Sequence, residues 1–508
     1  MNTQRPEWND ANNALVGSGV SMVTLYFLRR FLSFCQGLFS AGKPAIEISC
    51  EVAEALRRVL ETLERNASLL DGPISDQNRK TVLDALGSAG SDYRAGLYAQ
   101  GFSGSQTPLE GAELAAFCDL ALKYVDHSIR ANRREDGLYH AYNLMSVDGG
   151  GIVIRRLYEM LEGQVAVLSS GALSARESVT LLDALRSSRL YRADQNSYVL
   201  YPDRKLPGFF EKNNIPAAAV QESQPLAAMI ERGDRRIVVR DLNGVAHFNA
   251  ALRNSGLLKK ALSELGLPEG ENAGILALYE KVFYHQSFTG RSGTFYKYEG
   301  LGCIYWHMVS KLLLAVQEAL DRAGSAGEDP VVIQRLMNHY REIREGIGVH
   351  KTPEEYGAIP IDPYSHTPGF AGVQQPGMTG QVKEDLITRL GEMGVAVENG
   401  RLCFHRQTVR PDDFLTEARS FRFYDVDGQQ CSLDLDPGTM AFTTCQVPVV
   451  AHRSGPRKIE ISRADGSHQT VEALEVDAAT SASIFERTGA VRRLDAYFGF
   501  EDSKSDNE

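Results

Sequence analysis

The hydrophobic period of this chain changes once, near residue 396. Before it, stretches such as "KPAIEISCEVAEALRRVLETLER" and "SARESVTLLDALRSS" space apolar residues three and four apart, as a helix with one buried face requires. After it, "ENGRLCF", "SFRFYDVDGQQCSLDLD", "GTMAFTTCQVPVVAHRS" and "RKIEISRADGSHQTVEAL" alternate and carry NG and DG turn pairs. The chain is therefore read as mainly α: a helical domain over 1–395, a small β-sandwich over 396–500 and a disordered tail, "EDSKSDNE", over 501–508. A length of 508 residues leaves room for both, at roughly 100–200 residues per domain.

Local signals set the helix ends. Ser75 should cap a helix that stops at Gly87. Thr107 with Glu110, and Ser174 with Glu177, have the spacing of capping boxes. "EGLGCIYWHMVSKLLLAVQEAL" is apolar almost all round and should lie at the centre of the fold. Val382, Leu386 and Leu390 fall four apart and should make the apolar face of a later helix. The longest apolar stretch, "ALVGSGVSMVTLYFLRRFLSFCQGLF", is broken by Arg29 and Arg30, so it reads as a buried helix and not a membrane span.

Composition excludes several classes. A net charge of -11 argues against a broad nucleic-acid footprint, which needs a basic face. The seven cysteines are odd in number and lack CxxC spacing, as expected of reduced cytoplasmic thiols and not of disulfides or zinc ligands. No HExxH, Walker A or GxSxG motif is present, no metal site is evident, and no signal peptide opens the chain.

Chemistry-bearing residues gather in connectors. "PEWNDANN" sets Asp10 beside Trp8, Asn9 and Asn13. An aromatic platform and amide donors suit a sugar, and such surroundings can raise a carboxyl to the pKa of a general acid. The same residues would equally serve as a helix N-cap. "GLYHAYNL" offers Tyr139, His140 and Tyr142 as faces and edges for a saccharide, or as a packed tyrosine-rich loop. "FTGRSGTFYKYEG" holds Arg291, suited to clamping an anion or to solvation. "DPYSHTPGFAGVQQPGMTG" adds His366 and Gln374 as hydroxyl contacts. Asp203 and Arg204, in a Pro-bounded strut, would pair with each other.

The stretch "EWNDANNALVGSGVSMVTLYFLRRFLSF" resembles the segment of cellobiose and chitobiose phosphorylases that carries their catalytic acid. That family lies in a wider group of (α/α)6-barrel glycosidases and inverting phosphorylases, so the resemblance implies that residues 1–395 form an (α/α)6-barrel-like catalytic domain, whole or incomplete. The matching acid is Asp10; this chain departs from the family in having Glu7 before Trp8, where the family has Gly-Asp, and Ala11 after Asp10, where it has Gly. "SGTFYKYEGLGCIYWHMVSKLLLAVQEALDRAG" resembles the glycine-rich loop, histidine and long helix that supply a phosphate ligand, matched by His307. "PGMTGQVKEDLITRLGEMGVAVENGRLCF" resembles the Thr-Gly helix start that touches the phosphate, matched by Thr379 and Gly380. Small residues opening a helix leave backbone N–H groups for an anion.

The resemblance implies a carbohydrate-active enzyme that cleaves an oligosaccharide with inversion. Inorganic phosphate would be its co-substrate if it is a phosphorylase, and no other cofactor is expected. A hydrolase would need a base to activate water, for which Glu299 is the candidate. The alternative is a non-catalytic carbohydrate-binding or scaffolding piece of a larger glycosidase-like protein. In the family pattern the Trp-Asn-Asp segment lies past the middle of the chain. Its place here suggests either a C-terminal part whose missing half, or a second copy in a homodimer, would cover exposed apolar surface, or a whole barrel completed by helices inserted between residues 40 and 270, and the first is favoured.

Overall fold

The computed structural model describes residues 19–42, 45–202, 209–283, 304, 306–347 and 382–500. These form two compact units: one holds the described residues of 19–202 and 304–500, the other residues 209–283.

The first unit is built from helices α1 (Met22–Ser40), α2 (Cys50–Arg65), α3 (Asp76–Gln100), α4 (Gly111–Ala131), α5 (Leu161–Ser169), α6 (Ala175–Arg186), α7 (Trp306–Ser325), α8 (Pro330–Gly346) and α9 (Val382–Glu392). Hydrogen bonds fix their directions. Arg322, late in α7, donates to Leu168 O, late in α5, at 3.0 Å. At the other end Leu161 N–H donates to Leu200 O at 3.0 Å, and the adjacent Val199 pairs with Ile304 just before α7. So α5 and α7 run parallel. α9 runs with them: Glu384 meets His307 at its start, and Gln317 Nε2 donates to Thr388 O at 2.9 Å further along. α6 runs against them, because Arg176 at its start pairs at 3.2 Å with Asp329, the cap of α8.

α7 carries the centre of this unit. Val309, Leu312, Ala315, Val316 and Leu320 are fully buried, as its all-round apolar sequence requires. The expected box at Ser174 forms, with Glu177 returning to the Ser174 backbone. Ser75 caps α3, yet that helix runs through Gly87 and ends only at Gly101, whose φ of +70° supplies the stop.

Three sequence expectations are corrected. Thr107 pairs with Ile48 in a short sheet, so the box opening α4 is made by Glu110 and Glu113 instead. On α9 the expected apolar face does not pack inward at Leu386, which is 62% exposed, while Glu384 and Thr388 are buried against α7. α1 is not buried on all sides: Met22, Val23 and Tyr26 are inside, but Phe27, Phe31 and Phe34 are exposed.

After α9 the strands Thr439–Thr444, Val447–His452, Val491–Tyr497, Lys458–Arg463 and His468–Val471 form a five-stranded sheet in that spatial order. Its core side holds Val449, Ala451, Ile459, Ile461, Leu494 and Ala496, every second residue, as a half-buried strand requires. Asn399 and Gly400, both with positive φ, turn the hairpin Val395–Glu398 to Arg401–Phe404 as the NG signal predicts.

The second unit has its own core, including Leu226, Ile237, Phe248, Leu258, Leu262 and Tyr279. Asn213, buried, stitches it by exchanging side-chain hydrogen bonds with the Phe248 backbone at 2.8 and 2.9 Å. Tyr279 packs edge-on against Phe248 and donates to Leu252 O at 2.7 Å.

Candidate active site

Residues Leu138–Tyr142 enter the antiparallel strand Tyr142–Asp148, which pairs with Gly19–Ser21 and Gly151–Arg156. Gln164, fully buried on α5, fixes this entry. Its Oε1 accepts from Tyr139 N–H at 2.8 Å, and its Nε2 donates to Tyr139 O and Met160 O at 2.8 and 2.9 Å. The approach is tight: a Cβ on Gly163 would lie 3.0 Å from the Ala141 backbone, so glycine is needed there for space.

The anchored side chains have distinct roles. Tyr142 donates to Glu162 Oε2 at 2.9 Å, both residues being buried. His140 hydrogen-bonds Leu157 O through Nδ1 at 3.1 Å. Burial, with Arg134 and Arg156 nearby, pushes it down to about 4, so it is a neutral imidazole at physiological pH. Tyr139 is buried, and burial raises its phenol above the usual range. The Asn143 amide donates to Asn132 Oδ1 at 2.7 Å.

His307 stands in the first turn of α7, 3.5 Å from Glu384 in the first turn of α9. Burial holds His307 below the ordinary histidine value; Lys311 and Lys383 act the same way, and Glu384 opposes them. The other carboxylate oxygen of Glu384 is buried without a hydrogen-bond partner among the described residues. Lys311 lies one turn further along α7, on the same side as His307.

The Val199–Leu200 segment links these two groups, because it touches the start of α5 and the residue just before α7. Three parallel helices, α5, α7 and α9, thus begin at one end of the unit. α7 and α9 start side by side there, and the partial positive charge of helix N-termini favours an anion. Glu162 and Glu384 occupy first turns there.

Tyr139, His140 and Tyr142 are therefore held in one segment anchored to α5, and His307 stands at the start of α7. Trp8, Asn9, Asp10, Asn13, Arg291, Glu299, His366, Gln374, Thr379 and Gly380 lie outside the described residues, as do Asp203 and Arg204. Glu162, Gln164, Lys311, Lys383 and Glu384 were not singled out by sequence. Their signal was faint: a Glu or Gln inside an apolar helix start such as "MLEGQVAVL" marks a polar group that burial must satisfy. Among the described residues no three His, Cys, Asp or Glu side chains are grouped to hold a metal, and the six described cysteines are free.

Residues 206–286 match the family model of the GH149 phosphorylase insertion domain 2. The match falls on the second compact unit. The chain is related to the GH149 phosphorylases. No curated protein matches it. The GH149 match and the resemblance of three other segments to cellobiose and chitobiose phosphorylases point to the same glycoside phosphorylase group. They do so from different parts of the chain, since none of those segments overlaps 206–286. Among the described residues no helix is long and apolar enough to cross a membrane.

Proposed function

We propose that this protein takes part in the phosphorolytic cleavage of an oligosaccharide with inversion. The observation that carries the reading is that α7 and α9 begin side by side, with His307 3.5 Å from Glu384 and with Lys311 and Lys383 nearby. A phosphate there would gain from the helix ends, from Lys311 and Lys383, and from an N–H of the neutral His307 imidazole. Thr379 and Gly380, just before α9, would add a hydroxyl and a backbone donor.

The roles follow from the chemistry. Asp10 gives its proton to the glycosidic oxygen as the bond to the anomeric carbon breaks. A phosphate oxygen forms the new bond from the opposite face, so the products are a sugar 1-phosphate and a shortened saccharide. Phosphate is itself the nucleophile, so no base is needed to activate water. Trp8, Tyr142, His366 and Gln374 would hold the sugar, and Glu162 would fix the Tyr142 ring.

The test is to incubate the full chain with β-linked gluco-oligosaccharides, with and without inorganic phosphate, and to assay sugar 1-phosphate and free sugar. Phosphate-dependent sugar 1-phosphate, lost in Asp10→Asn and weakened in KM for phosphate in His307→Ala, is expected. Phosphate-independent free sugar would make it a hydrolase. Oligosaccharide binding without turnover, unchanged in Asp10→Asn, would make it a binding protein.

A further inference from the structure

Away from these helix ends, α2 and α3 pack along each other and leave a cleft of about 310 Å³. That is the lower end of the range for small-ligand pockets, about 300–1,000 Å³. Ala55, Ala89 and Leu97 form an apolar floor, and Tyr93 lines one side. Gly96 also lines it, and a Cβ built there meets nothing within 4 Å, so the space beside it is open.

The charges are unbalanced. Glu51, Glu54 and Asp92 line the cleft against Arg58 alone. Arg58 is committed to Asp92 at 2.8 Å, and Glu54 is held by Arg57 at 2.6 Å. Among the described residues Glu51 pairs with no cation. Its Oε1 accepts the Ser103 N–H at 2.8 Å, but its Oε2 is buried with no hydrogen-bond partner among the described residues. The hydrogen bonds from Ser103 hold the Glu51 carboxyl below its usual range, so it remains an anion. Ser103 serves the Glu51 carboxylate from one side, and a ligand that brings a donor into the cleft would serve its other oxygen.

We propose that this cleft binds a primary ammonium group carried on a small organic body. An ammonium offers three donors and a positive charge, which answers both the open Glu51 oxygen and the charge imbalance. The body would lie on the alanine and leucine floor, with Tyr93 adding cation–π attraction. An amino sugar and an aliphatic diamine share this chemistry.

The experiment is isothermal titration of the full chain with glucosamine and with 1,4-diaminobutane, using glucose and N-acetylglucosamine as uncharged controls. At least one ammonium compound should bind tenfold or more tightly than the controls, and the tighter of the two identifies the source. Glu51→Gln keeps the acceptor for Ser103 and removes the charge, so affinity should fall tenfold or more. Gly96→Leu suits a helix, fills the open space and should abolish binding. Failure of both ammonium compounds to bind would overturn the proposal. So would equal binding of the controls, or unchanged affinity in either variant shown by circular dichroism to be folded.

Discussion

Tyr142 donates its phenol hydrogen to Glu162 across 2.9 Å, joining a strand to the first turn of a helix. Both groups are buried, and the Glu162 carboxylate lies where the α5 dipole favours negative charge. One bond thus holds an aromatic ring, a carboxylate and a helix start in one geometry, at the end of the unit where α7 and α9 also begin.

Tyr142→Phe keeps the ring and removes the donor. A hydrogen bond to a charged group contributes about 1.5–3 kcal/mol, so unfolding in urea should show a loss in that range. If Tyr142 also orients the sugar, sugar 1-phosphate formation should fall with a rise in KM for the oligosaccharide. A variant as stable as the parent would remove Glu162 from this role.

Gln164 makes three hydrogen bonds to backbone groups from one fully buried side chain. Gln164→Leu fills the same volume but leaves Tyr139 N–H and O unpaired. The expected loss is about 3 kcal/mol, read as a lowered Tm. Gln164→Glu should be similarly damaging, because a carboxylate cannot donate to the two carbonyls.

Phe31 and Phe34 are 61% and 66% exposed on α1, so they contribute little to the core of the described unit. Phe31→Ser with Phe34→Ser should change stability by no more than about 0.5 kcal/mol per site. The double variant should also associate less in sedimentation velocity, because the exposed aromatic stripe is reduced. A loss of several kcal/mol would mean that these rings are packed in the folded protein.

The helices that bury one regular stripe were legible in the sequence. α6 declares both its cap and its box at Ser174, and α7 declares its central place by a wide apolar face with only a narrow polar stripe. The failures share a cause: tertiary partners override local pattern. Thr107 has a good capping spacing, but pairing with Ile48 offered its backbone a ladder. Leu386 and Leu390 mark a plausible apolar face on α9, but His307 and Gln317 present polar partners that draw Glu384 and Thr388 inward. For the site, aromatic and histidine residues stood out because their types are unusual in loops. Gln164 and Glu384 did not, since their roles depend on groups more than twenty residues away. The 209–283 unit also escaped a composition-based boundary, because its helical periodicity continues that of its neighbours.

His140 gives a pH dependence with a definite sign. Burial is the main cause of its shift, helped by Arg134 and Arg156, and holds it at about 4 against an ordinary 6.5. Above pH 6.5 it is neutral in both states and contributes no slope. Between 6.5 and about 4 the unfolded chain takes up a proton that the folded chain refuses, so stability falls as pH falls. Below about 4 both states are protonated and the loss is complete. The shift corresponds to at most about 3 kcal/mol, at about 1.4 kcal/mol per pH unit. Urea unfolding of the parent and His140→Gln at pH 7.5, 6.0 and 5.0 isolates this contribution, because every other titrating group is common to both. The parent should lose about 1.2 kcal/mol more than the variant between pH 6.0 and 5.0. Parallel curves would mean that His140 titrates normally and is open to water.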